Sequence, residues 1–82
     1  MLFLIGCAIK SSVVLIEAEQ TFTLVEKYKD LAPYEWNMAD QYMKKAREEY
    51  STSQLEDAEK LAHDAVQWAR KVQEIADKSQ GE

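Results

Sequence analysis

Few side chains in this 82-residue sequence are suited to covalent or acid–base chemistry. Cys7 is the single cysteine and His63 the single histidine. A nucleophilic thiol needs a base or a positive environment to become a thiolate. Cys7 stands among Leu4, Ile5, Gly6, Ala8 and Ile9, with no histidine near it in sequence, so no such role is predicted. Glu59 and His63 are four residues apart, a spacing that puts both on one helix face. Metal binding needs three or four ligands, and no second histidine or cysteine stands in that register, so His63 reads as solvated. Glu48, Glu49, Glu56, Asp57 and Glu59 cluster in the middle of the chain. General acid–base catalysis needs two carboxylates held apart in a concave site with shifted pKa values. These five read as solvated faces and helix-dipole partners instead. The sequence therefore predicts a non-enzyme, with no catalytic residues, no metal and no cofactor.

The elements that position these residues are helical. Leu55, Ala58, Ala62, Ala65, Ala69, Val72 and Ala76 follow a 3-4 alternation, a heptad seam. Leu61, Trp68 and Ile75 recur every seven residues and widen the stripe, which suits a helix packed against two neighbours. Ser53-Gln54-Leu55-Glu56 matches a capping box at its start, and Lys78 suits its end. A second stripe runs Trp36, Ala39, Met43, Ala46, Tyr50, with Pro33 placed for a first turn. Asp40 and Lys44 are spaced as a surface ion pair. A first helix shows one stripe at Leu15, Ala18, Phe22 and Val25, and another at Leu24, Tyr28 and Leu31. Pro33 disfavours a helical Ala32, which ends it.

The predicted fold is all-α, an antiparallel three-helix bundle with helices over about 10–31, 33–50 and 53–78 and an alanine-rich heptad seam. Residues 1–7 read as an apolar leader, 8–78 as the bundle and 79–82 as a disordered tail. Alanines in mid-seam predict that the second and third helices approach most closely at Ala62 and Ala65. Tyr34 and Trp36, at a helix end beside Pro33, are the residues placed to meet a partner.

Composition limits the partners. The formal net charge is −5, which opposes nucleic acid. Residues 1–16 carry one charge, Lys10, and all fifteen acidic residues lie from Glu17 onward. Two glycines and one proline are too few for the turns of a β-sandwich or barrel. The opening MLFLIGCAI is about half the length of a membrane-spanning helix.

Leu4-Ile5-Gly6-Cys7 resembles a bacterial lipobox, in which cleavage before the cysteine leaves a thiol for lipidation. The body strengthens the likeness. Ala32-Pro33-Tyr34-Glu35, Lys45-Ala46-Arg47-Glu48-Glu49 and the alanine repeat from Asp57-Ala58 to Ala76 resemble the DUF4398-type small bacterial lipoproteins of unknown function. The resemblance covers most of the chain from Cys7 to Ala76. It implies lipidation at Cys7 and a bundle anchored in the cell envelope by its N-terminal lipid. It also implies a periplasmic protein partner. Ala8 after the cysteine, by the same analogy, implies the outer membrane. Only six residues precede Cys7, where the family carries a full signal peptide, which implies a start placed too late or a shortened chain; if Met1 is the true start, a cytoplasmic location follows.

The function expected on these grounds is a non-enzymatic, envelope-associated lipoprotein serving as an anchored interaction or structural module. The alternative is a soluble helical protein-interaction or self-association module without lipid, forming homo-oligomers through its apolar N-terminus. In that reading Ala46, Ala58 and Ala65 echo a tetratricopeptide-like hairpin, although one unit is too short for a solenoid.

Overall fold

The computed structural model describes residues 2–80, with side chains described from Lys10 onward. It is an all-α three-helix bundle: α1 Leu2–Val25, α2 Pro33–Ser51 and α3 Leu55–Gln80, with a short 3-10 turn at Glu26–Tyr28. The helices pack as a rod of 54 × 18 × 15 Å.

The direction of each helix follows from its contacts. Ser11 in the first half of α1 reaches Glu59 near the start of α3. Val25 at the end of α1 shares a cluster with Val72 far along α3. These two helices therefore run parallel. Tyr50 at the end of α2 meets Ser12, whereas Trp36 near its start stacks on Phe22, so α2 runs the other way. Up-down-up is the result.

The core is built largely of small residues. Among the described residues, nine of the twelve buried hydrophobic side chains are alanine, and the largest fully buried side chains are Met43 and Val72. Alanine at facing positions lets helix backbones come close, towards the low end of the usual 8–10 Å separation. The α2–α3 contact is accordingly the most extensive, and α1 lies along α3 far more than along α2. Larger residues fill the margins in two clusters. One joins Ala18, Met43, Ala46, Ala62 and Ala65, with Leu15, Tyr42 and Leu61 packed around them. The other joins Val25, Ala32, Ala39, Ala69 and Val72, with Tyr28, Trp36, Trp68 and Ile75 around them. Phe22 borders both.

All the seam residues from Ala58 to Ala76 are buried, and Leu55 is half-buried. Ala39, Met43 and Ala46 are buried in α2, Pro33 stands in its first turn, and Lys44 meets Asp40 at 3.1 Å.

Several boundaries differ from the sequence expectation. α1 starts at Leu2 rather than near residue 10, because no breaker or capping residue stands at Lys10 to begin a helix there. The backbone therefore shows no break between residues 7 and 8. The α-helical ladder also ends at Val25, not near residue 31. Beyond it the chain winds more tightly, with the Lys29 amide donating to the Glu26 carbonyl at 3.1 Å and the Leu31 amide to the Tyr28 carbonyl at 3.0 Å. That winding turns Tyr28 and Ala32 towards the core and leaves Leu31 outside; Leu24, still within α1, is also exposed, so the second stripe drawn through those leucines is not a packing stripe. The break at Ala32 itself is present: φ −137° and ψ 64° take it out of the helical region before Pro33. At the C-terminus, Ser79 and Gln80 belong to α3 rather than to a tail; Gly81 and Glu82 lie outside the described residues.

The predicted capping box is also corrected. Ser53 has φ 64°, in the left-handed region, so it does not cap α3. It terminates α2. The Ser53 amide donates to the Tyr50 carbonyl at 3.1 Å and the Gln54 amide to the Glu49 carbonyl at 2.8 Å, the paired bonds of a Schellman motif. Gln54 is the N-cap of α3, its carbonyl accepting from the Ala58 amide at 2.9 Å. A three-residue connector between antiparallel helices must reverse the chain at once, and the left-handed residue does that.

Candidate functional site

The end of the rod nearest Cys7 is stitched by polar side chains. Ser11 is buried at 2% exposure, and its hydroxyl donates to Glu59 Oε1 at 2.8 Å. Lys10 Nζ lies 3.9 Å from the other oxygen of the same carboxylate. The Tyr50 hydroxyl donates to Ser12 Oγ at 3.2 Å. Farther along, the Arg47 guanidinium binds the Glu19 carboxylate. That hydrogen bond is the largest cause raising the Arg47 pKa above its ordinary value; burial opposes it, and the charges of Glu19 and Asp40 add to the rise. All four contacts tie α1 to the α2–α3 hairpin. The Glu59 carboxylate is thus engaged by α1, while His63 is exposed.

The opposite end is aromatic. Phe22 and Trp36 stack with ring centroids 5.3 Å apart, and Tyr34 meets Trp68 edge-on at 5.6 Å. Lys27, Lys29 and Lys71 lie over Tyr28, Trp36 and Trp68 at 5.2, 5.7 and 4.3 Å. Tyr34 is 62% exposed, whereas Trp36 is half-buried within the second core cluster. The structure therefore separates the two residues singled out for a partner surface: Tyr34 lies open to solvent and Trp36 packs against Phe22. Trp36 Nε1 is buried and has no hydrogen-bond acceptor among the described residues.

The third feature is a side of α1 that neither neighbour covers. Val13, Ile16 and Leu24 are 48%, 54% and 69% exposed, and Leu31 just beyond the helix is 48% exposed. Leu15, Ile16, Glu19, Gln20, Thr23 and Leu24 border a shallow depression there. An apolar helix face normally finds cover, and singly exposed apolar residues need no explanation, but these fall on one side of one helix.

Among the described residues no group of three or more His, Cys, Asp or Glu side chains is placed to hold a metal ion. Glu48, Glu56 and Asp57 are exposed, Glu49 and Glu59 half-buried. No helix among the described residues is long and apolar enough to cross a membrane. The side chains of the lipobox residues Leu4, Ile5, Gly6 and Cys7 lie outside the described residues.

Ser11 is the residue that sequence reasoning missed. A serine within an apolar run is not an obvious core position. Its signal was spacing: Ser11, Ala18 and Val25 recur every seven residues, and all three are buried.

Comparison with protein families, with curated proteins and with solved structures finds no match for this chain.

Proposed function

We propose that the protein is a non-enzymatic helical lipoprotein of the DUF4398 type, acylated at Cys7 and held at the bacterial cell envelope as an anchored interaction or structural module. The observation that carries this reading is the lipobox-like run Leu4-Ile5-Gly6-Cys7 ahead of a body that folds as an all-α three-helix bundle. The alanine-repeat body supports the same reading. In it, the acylated end of the rod faces the membrane and the exposed Tyr34 stands towards the far end, open to a periplasmic partner. Each buried methylene of an acyl chain contributes about 0.8 kcal/mol, so stable anchoring needs more than one chain, as bacterial lipidation of a cysteine supplies.

Expression of the gene in a bacterium with labelled palmitate tests it. The chain should carry label and fractionate with membranes, and Cys7→Ser should lose both. Label that persists in Cys7→Ser, or that is absent when the upstream coding region is included, refutes acylation at this residue.

The second reading is a soluble self-association module without lipid. The uncovered side of α1 favours it.

A further inference from the structure

We infer that the uncovered side of α1 binds a second copy of this chain in antiparallel register. Val13, Glu17, Gln20, Leu24, Lys27 and Leu31 are spaced 4, 3, 4, 3, 4, a heptad stripe distinct from the buried seam. All six are exposed. Beyond Val25 the chain turns in the same sense but more tightly, through Glu26–Tyr28, and Lys27 and Leu31 are exposed past the end of the helix.

The stripe complements itself when reversed. About a two-fold axis level with Phe22, Val13 meets the partner's Leu31, Gln20 meets the partner's Leu24, and Glu17 meets the partner's Lys27. Each pair occurs twice. Opposite charges at mirrored positions set both register and direction, as edge charges do in coiled coils. A parallel pairing would instead set Glu17 against Glu17 and Lys27 against Lys27. The same charges argue against a lipid surface as the occupant, because Glu17, Gln20 and Lys27 would then face hydrocarbon. Among the described residues Glu17 takes part in no salt bridge, and Lys27 takes part in none either, lying over the half-buried Tyr28 ring beside it. One helix stripe is at the small, transient end of interface sizes, so the dimer forms at high protein concentration. The inference does not depend on acylation of Cys7.

Sedimentation equilibrium of the full chain carrying Cys7→Ser, at low salt and up to about 1 mM protein, tests it. Circular dichroism confirms that each variant is folded; the substituted positions are exposed. The reference chain should dimerise, and added salt should weaken the dimer. Glu17→Lys alone and Lys27→Glu alone should each weaken it about tenfold or more, because two attractive pairs per dimer become repulsive. The double exchange should restore association to within about threefold of the reference. A monomer at every concentration, including one that sediments with phosphatidylcholine vesicles instead, overturns the inference. So does association that is equal in all four chains, which would place the contact elsewhere, as at the apolar N-terminus.

Discussion

Replacing Ala62 with leucine tests the packing of the whole bundle. Ala62 has no exposed surface and sits in the cluster with Ala18, Met43, Ala46 and Ala65. Leucine adds three heavy atoms where two helices meet through small side chains. Overpacking of that kind costs about 1–3 kcal/mol. A chain of this size has a total stability of about 3–5 kcal/mol, so the substitution removes a large share. At about 4–8 °C per kcal/mol for a domain this small, the melting temperature should fall by roughly 5–20 °C. His63 is the next residue along the helix and is exposed, so His63→Leu should stay within about 0.5 kcal/mol of the parent. Thermal unfolding followed by circular dichroism at 222 nm, a helix signal, compares the two on equal terms. Ala65→Leu should behave like Ala62→Leu. If Ala62→Leu melted with the parent and His63→Leu fell, α3 would be rotated from the register seen here, and the assignment of exposed faces would fall with it.

Other consequences follow from single contacts. Ser53→Gly should stabilise the chain by about 0.5–1 kcal/mol, because glycine occupies the left-handed region without the strain a Cβ brings; a higher urea midpoint with an unchanged slope would report it, and no gain would argue against the Schellman closure. Ser11→Ala should cost about 1 kcal/mol in the same assay by leaving Glu59 without its buried donor, whereas a neutral result would mean that the carboxylate turns to solvent freely. Arg47→Ala should cost no more than about 1 kcal/mol, less in high salt, since both partners are substantially exposed; a larger, salt-insensitive loss would contradict the geometry. Trp36→Phe should be milder than Trp36→Ala by at least about 1 kcal/mol, because phenylalanine keeps the stack on Phe22 and removes an N–H that has no acceptor; equal losses would show that the stack contributes nothing.

Much of the fold was legible in the residues because helical packing leaves a periodic trace. The alternation from Leu55 to Ala76 marked the face of α3, and its burial follows position by position from Ala58 onward. Pro33 and the stripe from Trp36 to Tyr50 did the same for α2. α1 was harder to read because it is apolar on opposite sides. Periodicity alone could not tell the side that packs on α3, with Ser11, Ala18 and Val25, from the side bearing Val13, Ile16 and Leu24, which the described residues leave exposed. Only the arrangement of all three helices made that choice.

The candidate sites divide along the same line. Which side chains are of a type that could carry chemistry is visible in the sequence, because chemistry of that kind needs particular groups. Which aromatic ring faces water is not. Tyr34 and Trp36 are two residues apart on one helix, yet one meets solvent and the other lies on Phe22 from a distant part of the chain. Ser53 shows the limit most plainly. Its sequence context suits the cap of the helix that follows, and the backbone assigns it to the helix that ends. Local preference allowed either role. The need to reverse direction within three residues, so that α2 could return along α3, decided between them.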